Sequence, residues 1–193
     1  MTAKASGFNP IGIPVRRLIE QSGITASFVY FGTIYGPGGV FGDAIFPALA
    51  SGKWKNFGVG ADRMILTHVD DAARGLVRIA GFGAPQIAGK TYVITDADPV
   101  DMEAFFGLAA HLMGVAKPGR VPKWMASLVA GHSLIEATLR ATPFRPAYLD
   151  SPDFDLIYPS YRQGLPLALQ ALGLRRVVSE PKIHGAPTVA QGI

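Results

Sequence analysis

The chain has 193 residues, 49% hydrophobic and 17% charged, which is enough apolar material for one cored domain and too much for an intrinsically disordered segment. Its net charge of +4 comes from scattered Lys and Arg, in short pairs such as Arg16-Arg17, Lys53 with Lys55, and Arg175-Arg176, so the dense basic face of a nucleic-acid binder is not expected. The absence of cysteine excludes a disulfide framework and thiolate chemistry; no apolar run approaches the ~20 residues of a bilayer span and no leader pattern opens the sequence, so a cytoplasmic location is the expectation.

Residues 1–13 read as an irregular lead-in rich in glycine, proline and small residues. PVRRLIEQS, Pro14 to Ser22, suits a short helix stopped by Gly23. ITASFVYFGTIYG is β-branched and aromatic and runs into the turn cluster Gly36-Pro37-Gly38-Gly39. Its nearly continuous apolar character predicts a strand covered on both faces of a parallel sheet. A helix is expected from Asp43 to Ser51, with Pro47 tolerated only near its first turn and Gly52 as its stop. RMILTHV predicts a second strand, after which Asp70 or Asp71 caps a helix through Ala80.

KTYVITD predicts a third strand. The helix Met102 to Met113 follows, with Phe105, Leu108, Ala109 and Leu112 at helical spacing, Asp101 at its cap and Gly114 at its end. Pro122 suits the first position of KWMASLVAGHSLIEATLR, a helix broken at Thr142-Pro143. Its apolar stripe fits packing against the sheet or a partner, with a membrane surface or an apolar substrate pocket as the other reading. The stretch from Phe144 to Pro159 is loop-like. Ser160 with Gln163 forms a capping-box pattern for a last helix to Leu172, closed by Gly173, and residues 174–193 are expected to be a mobile tail. Alternating strands and helices make the class α/β, although three strands are few for an independent doubly wound sheet.

FGTIYGPGG, Phe31 to Gly39, resembles the end of the sixth strand of the extended short-chain dehydrogenases/reductases, the NAD-dependent epimerase/dehydratase family. Gly32, Ile34, Tyr35, Gly36, Pro37 and Gly38 match, and Tyr30-Phe31 replaces an Arg-Pro. THVDDAARGL, Thr67 to Leu76, is similar to the family's His-Val-Asp-Asp junction. GKTYVITDADPVDMEAFFGLAAHLMG, VPKWMA and YPSYRQGL follow in the family's order. The resemblance spans Pro14 to Leu172. It implies the C-terminal half of the fold: a partial Rossmann-like parallel sheet of about three strands with a mostly helical C-terminal substrate lobe, residues 14–173 forming one domain.

The parent activity so implied is NAD(P)-dependent oxidoreductase, epimerase or dehydratase chemistry on a hydroxyl or carbonyl of a small molecule. The family's glycine-rich phosphate cradle is not found. Gly58 to Gly60 and Gly81 to Gly89 read as turns, since the second follows a helix and precedes a strand, the reverse of what cradling needs. The family's Tyr-x-x-x-Lys pair, in which an ammonium eases ionisation of a phenol, is absent too. The chain alone is therefore expected to be inactive and not to bind NAD or NADP tightly. An open sheet edge is expected to drive self-association or pairing with a partner that supplies the missing half. The alternative is a non-catalytic binding or regulatory module that kept the substrate lobe; a truncated gene product is the third reading.

By the resemblance, Phe31, Gly32 and Thr33 pass beside the nicotinamide, and Tyr35 closes the cleft; a buried strand end and a half-buried anchor are the structural readings of the same residues. Gly38 to Phe41 and the run to Arg63 correspond to the segment around substrate, with Arg63 either meeting an anionic or sugar-nucleotide group or serving as a surface charge. His68 is expected to order the cleft or the junction by hydrogen bonding. With Asp70 it makes only two metal ligands, and His111, His132 and His184 lack ligand spacing to it, so no metal is expected.

Overall fold

The computed structural model describes residues 12–57, 63–97, 100–121 and 155–176. The lead-in to residue 11, the glycines at 58–60, the helix expected from Pro122, most of the loop before Pro159 and the tail beyond residue 176 lie outside these. The elements in chain order are α1 (Gly12–Gln21), β1 (Phe28–Phe31), β2 (Thr33–Tyr35), a π turn (Phe41–Ile45) continuing into α2 (Phe46–Ala50), β3 (Asn56–Phe57), β4 (Arg63–Met64), β5 (Leu66–His68), α3 (Val69–Ala80), α4 (Ala84–Ile87), β6 (Thr91–Ile94), β7 (Val100–Asp101), α5 (Met102–Met113), β8 (Arg120–Val121) and α6 (Tyr161–Ala171). The mixed α/β class holds, and the glycines expected to stop helices, Gly23, Gly52, Gly114 and Gly173, all have positive φ. No described helix is long and apolar enough to cross a membrane.

The first expected strand is two strands with different neighbours. β1 runs parallel to β6, with Phe28 opposite Thr91 and Phe31 opposite Ile94, while β2 runs parallel to β5, with Thr33 opposite Leu66 and Tyr35 opposite His68. The break falls at Gly32, where an added Cβ would lie 2.5 Å from the Ile65 carbonyl oxygen. Only a residue without a side chain lets the two backbones approach this closely. Thr67, 1% exposed, spans the break: its hydroxyl accepts from the Gly32 N–H at 2.9 Å and donates to the Ile94 carbonyl at 2.8 Å. One side chain thus ties the two parallel pairs together. The expectation of full cover on both faces is met only in part: every β1 residue is half-buried, Phe28 beneath the Arg16 guanidinium of α1 at 4.5 Å and Val29 and Phe31 against Ile79, Tyr92 and Ile94, while Ile34 on β2 is exposed.

RMILTHV is likewise two strands, β4 pairing antiparallel with β7 and β5 pairing parallel with β2. The helix expected from Asp43 starts earlier and changes pitch. A continuous α-helix would drive the Pro47 ring into the preceding turn; a π turn ending at Ile45 puts Pro47 in the first turn of a new α segment, where its missing N–H costs nothing.

The main core gathers on α5. Phe105, fully buried, has its ring centroid 5.5 Å from Tyr35, 5.9 Å from Phe41, 5.2 Å from Phe106 and 5.7 Å from Tyr161, mostly edge to face. Phe46, Leu49, Leu165 and Leu169 complete it, so α2, α5 and α6 pack as one layer against β2 and β5. A smaller cluster of Ile79, Tyr92 and Ile94, with Val29, Phe31 and Phe82 against it, fills the space between α3 and the β1–β6 pair. Leu174 to Arg176, assigned to the tail from sequence, are tied down here: Leu174 N donates to Leu169 O at 2.9 Å and Arg176 N to Leu112 O at 3.0 Å.

Candidate functional site

The C-terminal ends of β2 and β5 lie side by side, which brings Tyr35 against His68 with ring centroids 5.2 Å apart, and α6 closes over both. The close contact depends on Gly164: a Cβ there would sit 2.5 Å from Tyr35 Oη and 2.8 Å from His68 Cδ2. Tyr158, just before α6, lays its ring 4.2 Å from that of His68.

His68, 2% exposed, is the residue that caps α3, which corrects the assignment of that role to Asp70 or Asp71. Its Nδ1 accepts from the Asp70 N–H at 3.2 Å. Burial lowers its basicity more than the carboxylates of Asp70 and Asp71 raise it, so the ring is neutral and carries its proton on Nε2. The approach of Asp70 Oδ2 to Nδ1, 3.6 Å, is for that reason not an ion pair. Nε2 is buried without a partner among the described residues, and so is Tyr35 Oη. Burial, with the charges of Asp96 and Asp71 behind it, pushes the Tyr35 phenol far up, which keeps it protonated at any working pH.

Asp71 has a different task from the expected cap. At 1% exposure its Oδ1 accepts from the Ile157 N–H at 2.8 Å and its Oδ2 from the Tyr158 N–H at 2.9 Å, with Arg74 Nη1 3.3 Å from Oδ1. A single carboxylate therefore anchors the irregular segment leading into α6, 86 residues away, and sets Tyr158 over His68. Nothing in the local pattern distinguishes Asp71 from Asp70; its partners come from the far end of the chain.

The other expected site residues divide. Phe31 packs into the α3-side cluster, the Gly32 and Thr33 N–H groups are spent on Thr67 Oγ1 and on Ile65 O, and Phe41 belongs to the main core. Gly38 is exposed in the turn after β2, at φ +80°. Arg63 lies elsewhere, on the rim of a cleft of about 290 Å³ lined also by Asp96, Asp101, Ser160 and Arg162. Asp101 gives α5 no side-chain cap; its Oδ1 is 3.7 Å from Arg63 Nε. Ser160 Oγ accepts from the Arg162 N–H, the second residue of α6, in place of the third that a capping box would use. Asp96 is 6% exposed, its Oδ2 has no partner among the described residues, and burial followed by repulsion from Asp71 raises its carboxyl to about 7, with the Tyr161 amide opposing. Asp96, Thr67, Tyr158, Gly164 and Arg162 fall inside the KTYVITD, THVDDAARGL and YPSYRQGL runs, but none was singled out from sequence, because their roles come from partners distant along the chain.

No protein-family model and no curated protein sequence matches the chain, but solved structures share its fold. A human epimerase family protein, SDR39U1 isoform 2 with NADPH, is 16% identical, with 75% of this chain and 48% of that one covered and a TM-score of 0.64. The Thermus thermophilus UDP-glucose 4-epimerase complexed with NAD is 16% identical, with 83% and 51% covered and a TM-score of 0.62. A conserved protein of unknown function from Silicibacter pomeroyi is 26% identical, with 75% and 48% covered and a TM-score of 0.57. The chain thus spans about half the length of the solved structures it matches. The resemblance drawn from the two glycine and His-Val-Asp-Asp motifs is met in three dimensions by the fold of epimerase and dehydratase proteins.

Proposed function

We propose that these residues form the substrate-side half of an NAD(P)-dependent oxidoreductase, epimerase or dehydratase acting on a hydroxyl or carbonyl of a small molecule, and that turnover requires a cofactor-holding half from outside them. The observation that carries this is the pairing of β2 with β5, which sets the GTIYGPGG and THVDD segments edge to edge within a fold matching about half the length of proteins solved with NAD or NADPH. Ile34, exposed on β2, supports a complementary surface, supplied by the same polypeptide, a second copy or a partner.

In this reading the half contributes shape and orientation. Phe31, Gly32, Thr33 and Tyr35 build the wall on the nicotinamide side, Gly38 shapes the mouth with Phe41 backing it from the core, Arg63 meets the substrate's charged end, and His68 orders the junction. Bound NAD(P) would supply hydride exchange. Proton exchange falls to the complementary half, because the sequence holds no Tyr-x-x-x-Lys pair and the phenol of Tyr35 stays protonated. Calorimetric titration of the chain alone with NAD(H) and NADP(H) should show no binding tighter than about 10 μM. Tighter binding would overturn the two-half reading.

A further inference from the structure

We propose that residues 155–160 form a strap across the His68 end of β5, latched by the buried carboxyl groups of Asp71 and Asp96, and that ionisation of Asp96 releases the strap while α6 stays in place. The strap is held by polar ties and little else. Ile157 and Tyr158 donate their N–H groups to Asp71, Pro159 O accepts from the Ala97 N–H at 3.0 Å, and the Tyr161 amide, at the junction with α6, faces the Asp96 carboxyl. Its apolar burial is small: Leu156 is half-buried at the edge of the Ile79, Tyr92 and Ile94 cluster, Tyr158 is half-buried over His68, and Asp155, Ile157 and Pro159 are exposed. From Tyr161 onward the balance reverses, since Tyr161, Leu165, Ala168 and Leu169 are all buried. A segment fixed by hydrogen bonds beside a helix fixed by core packing opens locally, before the domain unfolds. His68, whose ring lies under Tyr158 and whose Nε2 has no partner among the described residues, gains water on opening, which offsets part of the cost.

The two latches are unequal. The Asp71 carboxylate is answered by two amides and Arg74. Asp96, 6% exposed, has its Oδ2 without a partner among the described residues, so a charge placed there is desolvated and uncompensated. Burial, then repulsion from Asp71 on α3, holds its carboxyl at about 7, against the Tyr161 amide. Tyr35 on β2, His68 on β5 and Tyr158 on the strap supply no cation: two are phenols and the imidazole is neutral. Arg63 and Asp101 pair with each other on β4 and β7, and Arg162 rests its exposed guanidinium on the Tyr161 ring, so neither arginine compensates a charge at Asp96. Pro159 and Ser160 wall the cleft beside Asp96, and lifting them lets water reach it. In the released strap the carboxyl returns toward its ordinary 3.8, so opening sheds a proton. The open form therefore gains as pH climbs from that value through about 7 and levels off above it.

The strap is independent of the two-half reading, and its test needs no NAD(P). Amide hydrogen exchange is followed on the full chain from about pH 5 to about pH 8, with the intrinsic base-catalysed rates divided out. Protection at Ile157 and Tyr158 should fall at least about tenfold over that range. Low urea should leave it unchanged, because a local opening exposes little surface, whereas the buried Ala109 and Ala110 on α5 should lose protection steeply with urea. D96N, checked for an unchanged circular dichroism spectrum, keeps the shape of the protonated acid and cannot ionise, so it should make protection at both positions nearly independent of pH. The series on the unsubstituted chain decides the matter by itself if D96N does not fold. A change of less than about threefold with pH, loss of protection in step with α5 at every urea concentration, or a pH dependence that survives in folded D96N would overturn the proposal.

Discussion

Replacing Asp71 by alanine tests the long-range anchor directly. The substitution removes two hydrogen bonds, of 2.8 and 2.9 Å, from a buried carboxylate to the Ile157 and Tyr158 N–H groups. Hydrogen bonds to a charged group contribute about 1.5–3 kcal/mol each. Two effects reduce the net loss: a buried charge is no longer desolvated, and Ile157, 50% exposed, can turn its amide toward water. A loss of about 2–4 kcal/mol is expected. The neighbouring Asp70→Ala supplies the control, because that side chain is 57% exposed and contributes only its charge near the start of α3, about 0.3–1 kcal/mol. Asp71→Asn separates charge from shape: the amide can accept from one backbone N–H but presents its own NH₂ to the other, so it should destabilise nearly as much as alanine. Urea unfolding followed by circular dichroism measures all three. Amide exchange should report faster opening at Ile157 and Tyr158 in the Asp71 variants alone. If Asp71→Ala and Asp70→Ala agree within about 0.5 kcal/mol, the anchor does not hold α6 to the sheet.

Further expectations concern close packing and pH. Gly164→Ala should cost about 1–3 kcal/mol, because its Cβ would meet Tyr35 Oη at 2.5 Å and His68 Cδ2 at 2.8 Å. Gly107→Ala on α5, whose nearest neighbour is the movable Lys117 Cε at 3.4 Å, should be neutral or stabilise by about 0.5–1 kcal/mol, and thermal melts of the pair decide it. Asp96 is raised from 3.8 to about 7, so the folded chain binds more protons than the unfolded one between those values. Stability should therefore fall as pH climbs through that window, and Asp96→Asn should flatten the fall in urea titrations across pH 4–8. His68 is shifted the other way: its lowered basicity makes stability fall as pH drops below the ordinary histidine value, and His68→Gln should remove that part of the acid limb.

Local sequence was enough for what depends on local geometry. Glycines at 23, 52, 114 and 173 end helices because their φ is positive wherever the partners lie. The bounds of α5, Met102 to Met113, were legible from apolar spacing and a glycine stop. The α/β class was legible from the alternation of strand-like and helix-like runs, each of which is read within one element, and the order of GTIYGPGG and THVDD carried the resemblance. What escaped the sequence depends on distant partners. Asp70 and Asp71 are equivalent as letters, and only the return of Ile157 and Tyr158 to the sheet makes one an exposed helix-end charge and the other a buried anchor. His68 became the cap because its backbone leaves β5 at the angle that turns Nδ1 toward Asp70 N. The break at Gly32 arises from crowding by Ile65. Asp96 is one letter of the KTYVITD run with nothing local to mark it, and its raised acid range follows from burial by β5, α3 and α6 together. Chain-local preferences set where elements begin and stop; tertiary packing decides which polar groups lose water, and with that which of them carry chemistry.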